Sequence, residues 1–575
     1  RPIDLLTKST LRQHTELLEQ SIDIPAEKVN QPDASHLPER IPFSSAQKRM
    51  WYAVLASNSP GTFYESEAYS FNGNMDLERL QTAVHQVFAS HIAFKMVIAE
   101  GDELQWRSIE PSETLNVVTL DGGDKAWESL PQLMREESTR PFDFYSEPLA
   151  RFTLYTDNAR RHVIQFVAHH MVIDGLSQTA VWKDIAINYE KAGSGRGAAL
   201  AGPISPDPTF ATYLIDPPRY DASDLDYWEG YLADAPGPLD LKTDFTRPPV
   251  QSFKGASVFQ DLPKEFGNSL RRIARDLQAT PFAVALALYG LFLDKHAQQR
   301  GYVVGVPVSG RQPPVSQETV GLFINTIPLR VDIDQTQSFD QLVRTVSRSS
   351  LDAMKHDMVP FDEVVNRVCG ERDPSRMPVY QTMLGLNDYE ERPAGLSPDL
   401  AWAPEVVDTG FSQFDVLLFV ELYPDRMRLL LQGNLSLYTR ATLQRFVSRL
   451  AVMFEQVLDS PDILCENIDC ATENERAQLT SWQEEKREYP RDATVDECFQ
   501  QQVKETPDHL AIKSGEKTLT YRQLDALALG IADRLLKKGI KAGDRVAISS
   551  RRTVETVTGI LGILRAGASY VPLDL

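Results

Sequence analysis

Residues 168–177 read A-H-H-M-V-I-D-G-L-S, and the residues on either side fix what this string can be. Before it, 161–168 (R-H-V-I-Q-F-V-A) is apolar and rich in β-branched residues, which predicts a strand. After it, Leu176, Ala180, Val181, Ile185 and Ala186 recur at helical spacing, which predicts a helix over 176–189 with these residues near one face. The string therefore sits on a strand-to-helix crossover, where catalytic groups often lie on other scaffolds. Side chains alternate faces along a strand, so if the strand runs on into the string, His169 and His170 cannot face the same cavity. One should line a site and the other should be packed and hydrogen-bonded. Asp174-Gly175 closes the turn, because glycine permits positive φ and aspartate bonds nearby backbone.

The chain has 575 residues, enough for three or four domain-sized units. It is 42% hydrophobic and 24% charged, with a formal net charge of −21. That acidity argues against non-specific attraction to nucleic acid or an anionic membrane. Cys369, Cys465, Cys470 and Cys498 lack metal-site spacing and read as buried structural thiols in a reducing, cytoplasmic compartment. The longest apolar run, 281–293, is too short to span a bilayer. Arg1 does not read as a natural start, and no secretory segment follows it.

Composition divides the chain. Residues 1–23 hold an amphipathic helix with Leu11, His14, Leu17 and Leu18 on one stripe. Residues 24–41 are polar and proline-bearing and read as a linker. A large α/β body follows over 42–470, with a lobe boundary expected in the Gly, Pro, Ser and Asp-rich stretches 193–208 and 217–226. This gives an N-lobe over 42–216 and a C-lobe over 217–470. Residues 471–492 have linker composition again, and 493–575 open a different unit.

The string H-H-x-x-x-D-G resembles the signature of nonribosomal peptide synthetase condensation domains. Further segments in family order extend the resemblance over most of 42–470. S-S-A-Q-K-R-M-W at 44–51 resembles the opening helix, with Met50, Trp51 and Val54 as a buried stripe. S-H-I-A-F-K-M at 90–96 stands where the family has R-H-x-x-L-R-T; it keeps His91 but has Ser90 and Lys95 in place of arginines. V-P-V-S-G-R at 306–311, V-G-L-F-I-N-T at 320–326, H-D-M-V-P-F-D at 356–362 and R-D-P-S-R-M-P at 372–378 complete the set. Residues 4–18 resemble the last helix of a carrier domain, although the carrier's phosphopantetheine serine motif is missing. L-T-Y-R-Q-L at 519–524 and L-R-A-G-A-S-Y-V-P-L-D at 564–574 resemble the first two motifs of adenylation domains. The glycine-rich phosphate loop of that family does not occur, so this portion reads as a truncated adenylation-domain start.

The resemblance implies an α/β fold of two chloramphenicol-acetyltransferase-like lobes in a V-shaped pseudodimer, with the site between them. It implies peptide-bond formation between a donor acyl or peptidyl thioester and the amine of an acceptor aminoacyl thioester. Both would be tethered through the 4'-phosphopantetheine arms of partner carrier domains, and no cofactor would be held covalently by this chain. An upstream donor carrier, a downstream acceptor carrier and the chain's own adenylation domain are the implied partners of a cytoplasmic monomer, without nucleic acid, membrane or metal. His170, the second histidine, would enter the cavity as a general base or as a group that orients the amine. A reference α-amino pKa of about 7.7–8.0 leaves both roles open. His169 would be packed behind, and Gly175 would leave room for the pantetheine arm. Asp174 would hold the loop against an arginine, with Arg49 and Arg311 as candidates. Ser309 is a candidate oxyanion donor, with a turn serine as the plainer reading. Asn325 either lines the cavity or is a satisfied buried amide. An epimerisation domain shares the histidine motif, and a catalytically silent docking platform is the non-enzyme alternative. The adenylation-like segment downstream favours condensation over epimerisation.

Overall fold

The computed structural model describes residues 37–573 except 57–59, 100–102, 107–113, 122, 194–204, 298, 300, 313–314, 371, 390–394, 485–488 and 550–552. The helix expected over 1–23, most of the linker over 24–41 and much of 193–208 lie outside the described residues. The chain forms two compact units, Arg1–Glu475 and Arg476–Leu575. Their division falls inside 471–492, the stretch of linker composition, although Glu473–Glu484 within it is helical.

The first unit is α/β with mixed sheets. Its strands are β1 (Arg40–Pro42), β2 (Tyr64–Asn72), β3 (Met96–Ala99), β4 (Glu103–Trp106), β5 (Leu115–Thr119), β6 (Ala150–Thr156), β7 (Arg161–His169), β8 (Gly255–Pro263), β9 (Tyr302–Val308), β10 (Asn325–Val331), β11 (Thr382–Asp388), β12 (Gly395–Ser397), β13 (Leu400–Glu405), β14 (Val416–Leu422) and β15 (Arg426–Asn434). One six-stranded sheet has the order β12-β13-β2-β7-β6-β5, and the other has β10-β9-β11-β14-β15-β8. β1, β4 and β3 form a small third sheet.

β7 is buried from His162 to His169, as a continuous apolar run requires of a strand covered on both faces. Its one interior amide, Gln165, is satisfied: Nε2 donates to Met134 O at 2.8 Å and Oε1 accepts from the Tyr155 hydroxyl at 3.0 Å. The apolar run at 281–293 becomes the core helix Pro281–His296 of the second half, buried continuously from Ala283 to Leu293. Thr280 caps it through the Ala283 N–H at 3.1 Å, and Pro281 occupies the first turn, where no N–H is needed. Among the described residues no single helix is long and apolar enough to cross a membrane.

The two halves do not separate at 216/217. β13, far along the second half, pairs antiparallel with β2 of the first, with Trp402 opposite Phe71. Its indole packs on Tyr69 at 5.0 Å and Trp182 at 5.7 Å between ring centroids. Val315, Val320, Leu322 and Phe323 likewise belong to the first half's core. The physical reason is at β2, whose edge would otherwise leave Tyr69 and Phe71 at an unpaired, apolar border. Composition marks linkers, but it carries no signal for a return crossing. The cysteines also depart from expectation, since Cys465 is buried while Cys498 is exposed.

The second unit has an antiparallel pair, β16 (Leu510–Ser514) with β17 (Lys517–Thr520), and a parallel pair, β18 (Arg545–Ile548) with β19 (Ser569–Pro572). Its two motifs have local structural work. Thr520 caps the helix Tyr521–Lys537 in a capping box with Gln523. Arg565 bonds Asp496 and Asp525, each at 2.7 Å, joining three helices.

Trp402→Ala should reopen the β2 edge and cost about 2–4 kcal/mol. Calorimetry should show the first unit's transition lowered and that of the second unit unchanged.

Candidate active site

The strand and the helix around the motif form as expected, but the join between them differs. β7 ends at His169, and His170–Val172 tightens into a single 3-10 turn before the helix Gly175–Gly193. The two imidazoles therefore part at a change of backbone, not through strand alternation. Met171 and Val172 are fully buried and anchor the turn. Gln47, also fully buried, donates from Nε2 to Met171 O at 2.8 Å. The opening-helix motif thus holds the histidine turn through Gln47, which the sequence reading passed over. Met50, Trp51 and Val54 pack as the expected stripe. On the following helix, Ala180, Val181, Ile185 and Ala186 are buried, while Leu176 is exposed.

His169 has no exposed surface. Its ring lies 5.5 Å from Tyr64 and 5.2 Å from Phe144, centroid to centroid, both edge-on. Nδ1 accepts the Met171 N–H at 3.1 Å, and Nε2 has no hydrogen-bond partner among the described residues. Burial, reinforced by the neighbouring His170, pulls its pKa down from 6.5 to about 3, so the ring is neutral.

His170 faces outward, with 16% of its side chain exposed. Nδ1 lies 2.7 Å from Ile173 O. A carbonyl only accepts, so Nδ1 carries a proton, and in the neutral ring the lone pair is on Nε2. Glu65 Oε1, on the neighbouring strand β2, lies 3.5 Å from Nε2. Gln178 Nε2 donates to the other Glu65 oxygen at 3.4 Å. Glu65 was also missed from sequence. The available signal was the pair of glutamates in Y-E-S-E, which share one face of an otherwise half-apolar strand.

Asp174 is buried, and its carboxylate is fully engaged. Oδ1 accepts from the Ser177 N–H at 2.9 Å, the Ser177 hydroxyl at 2.8 Å and Arg311 Nη2 at 2.8 Å. Oδ2 accepts from the Phe323 N–H at 3.1 Å. Arg311 also donates from Nη1 to Ser316 O and Thr319 O, each at 2.7 Å. This settles the arginine partner. Arg49 instead pairs with Asp362 at 3.0 Å. Arg311 depends on Gly310, which has φ +60, and a Cβ there would stand 2.0 Å from Phe323 O. At Gly175 the opposite holds: a Cβ would meet nothing within 4 Å, so the first residue of the helix borders open space.

The remaining candidates do not join this group. Asn325 Nδ2 donates to Asp357 O at 2.8 Å and Val359 O at 2.6 Å, and its Oδ1 accepts from the Phe361 N–H at 3.1 Å. It pins the 357–361 turn as a satisfied, half-buried amide. Ser309 is exposed just beyond β9. His91 is tied to Asp184 at 2.8 Å, joining two helices of the first half. The assembled site can accept a proton or a hydrogen bond at one imidazole nitrogen of fixed tautomer. Asp174 cannot compete for that role, because its oxygens are occupied.

Comparison with known families and structures bears on the family and the fold. The model of the condensation domain matches residues 38–480, and that of the AMP-binding enzyme matches 499–575. Surfactin synthase subunit 2 of Bacillus subtilis (strain 168) is 28% identical over 99% of the chain. Bacitracin synthase 1 of Bacillus licheniformis is 27% identical over 93%. The chain spans only 16% and 10% of these two relatives. A four-domain nonribosomal peptide synthetase bound to AMP and glycine superposes with a TM-score of 0.75 over 94% of the chain and 42% of that structure, at 24% identity. The first condensation domain of the calcium-dependent antibiotic synthetase, in complex with a substrate analogue, gives 0.65 over 75% of the chain and 99% of that structure, at 21% identity. The X-domain from teicoplanin biosynthesis, in complex with OxyB, gives 0.61 over 77% and 98%, at 20% identity.

Asp174→Asn should leave Arg311 buried without a countercharge and cost about 3 kcal/mol, read as a lowered urea midpoint. His169 predicts an acid dependence. Its folded pKa of about 3 lies below the unfolded 6.5, so only the unfolded chain takes up this proton in between. The contribution is complete above pH 6.5 and is lost towards pH 3, at about 1.4 kcal/mol per pH unit. Melting curves of His169→Leu against wild type should therefore converge as pH falls through that window.

Proposed function

The chain belongs to the condensation-domain family, and we propose that its first unit forms the amide bond of nonribosomal peptide synthesis. The donor is an acyl or peptidyl thioester and the acceptor is an aminoacyl thioester, each on the phosphopantetheine arm of a carrier domain. The observation that carries this reading is His170: its Nδ1 proton is committed to Ile173 O, which leaves Nε2, on a side chain that is still partly exposed, as the ring's acceptor.

The acceptor amine attacks the donor carbonyl carbon. A C–N bond forms, and the carbonyl π electrons move to oxygen. Nε2 takes a proton from the amine nitrogen, which is already partly neutral near pH 8. The tetrahedral intermediate then expels the donor thiolate, and His170 returns the proton to sulfur. Asp174 and Arg311 act by keeping the loop rigid, which holds His170 within reach of the two tethered substrates. Tethering supplies much of the acceleration, because both reactants arrive at high effective concentration. Gly175 leaves room for an arm, and His169 packs the loop from behind. The second unit belongs with an adenylation domain, through which the acceptor would be chosen upstream of this step.

A single-turnover assay with separately loaded donor and acceptor carriers, read by intact-protein mass spectrometry, tests this reading. Wild type should move the acyl group to the acceptor carrier. His170→Ala should slow that step by about 10²-fold or more, and Gly175→Leu should fold but transfer poorly. Carrier binding without transfer, across several donors, would instead point to a docking platform.

A further inference from the structure

Glu65 lies outside the histidine motif, yet it is the charged group nearest the reactive nitrogen of His170. β2 runs antiparallel to β7 with Glu65 opposite Ala168, next to the end of the strand. This register delivers its carboxylate to the turn that carries His170. Oε2 is steadied by Gln178, a buried residue of the following helix, at 3.4 Å. Oε1 faces His170 Nε2 at 3.5 Å. The contact runs Gln178–Glu65–His170–Ile173 O across a strand, a turn and a helix.

The tautomer decides what the contact does. With its proton on Nδ1, neutral His170 offers a lone pair to a carboxylate, and neither group can donate. The neutral ring therefore gains no hydrogen bond from Glu65. The imidazolium gains both an N–H to donate and an attractive charge. Such a differential interaction favours the state in which His170 has taken a proton, the state formed as the amine attacks. The other groups around the ring do not compete. His169 is a neutral neighbour on β7, and Asp174 is bound to Arg311. With 39% of its side chain exposed, Glu65 remains hydrated, so its effect is moderate.

We propose that Glu65 is a positioning residue for amide formation, acting through His170 by stabilising the imidazolium generated as the acceptor amine loses its proton. This rests on the condensation reading above. The step balances: the proton lost by nitrogen resides on Nε2 beside Glu65 and then passes to the departing sulfur, while Glu65 stays ionised throughout.

The test is the carrier-loaded assay on Glu65→Gln, which removes the charge and keeps the shape. Its kcat should fall about five- to tenfold with KM for both loaded carriers unchanged. Glu65→Asp, which keeps the charge, should recover part of the loss. In a His170→Ala background, Glu65→Gln should cost nothing further, because its target is gone. Glu65→Ser stands in as the neutral variant if Glu65→Gln melts below the assay temperature. An unchanged kcat in the neutral variant, or an equal further loss on top of His170→Ala, would overturn the role of Glu65 while leaving condensation in place. A wild-type chain that transfers nothing across several donors would overturn the condensation reading and Glu65's part in it together.

Discussion

A carboxylate removed from water must find compensating charge and donors, and the architecture around the histidine turn follows from how Asp174 does so. Arg311 supplies the charge, while Ser177 and the Phe323 amide supply the rest. Arg311 comes from the second half of the unit, 137 residues along the chain from Asp174. It reaches the site on a loop that requires a left-handed glycine and whose carbonyls at Ser316 and Thr319 absorb its remaining donors. A loop of the first half is thus held in shape by a cation of the second. The geometry at His170 is a property of both halves together.

The adjacent histidines show how backbone conformation separates two identical side chains. One residue of extended strand buries His169 among aromatic rings, and one turn of 3-10 helix leaves His170 partly exposed. Their hydrogen bonds are complementary. His169 accepts a backbone N–H at Nδ1, whereas His170 donates to a backbone carbonyl from the same atom. The two rings therefore carry opposite tautomers when neutral, and only the second keeps part of its side chain exposed.

Much of this arrangement was legible from the string 168–177 because the determinants are local. β-Branched residues give the strand and helical spacing gives the helix, but Asp-Gly, read as a turn closed by a positive-φ glycine, instead starts the helix: Gly175 is its first residue without positive φ, and Asp174 Oδ1 caps it through the Ser177 N–H. What depends on distant partners was not legible. Arg49 and Arg311 are equivalent as sequence, and only the fold sends one to Asp362 and the other to Asp174. Asn325 reads equally as cavity lining or as a satisfied amide until the 357–361 backbone closes around it. Glu65 carries no motif at all, and strand register alone sets it beside His170. Gln47 was hidden by the apolar stripe around it, because periodicity draws attention to the residues that pack rather than to the one that bonds.

The return of β13 onto β2 bears on how this unit could be cut and recombined. A junction placed at 216/217, where composition invites one, would carry Trp402 and its strand away from the sheet they complete. The severed first half would retain an open hydrogen-bonding border with Tyr69 and Phe71 beside it, a template for edge-to-edge aggregation. It would also lose the cation that neutralises Asp174. Neither half is a portable module: the smallest exchangeable piece that keeps the histidine turn intact must include the strand at 400–405 as well as the loop that brings Arg311.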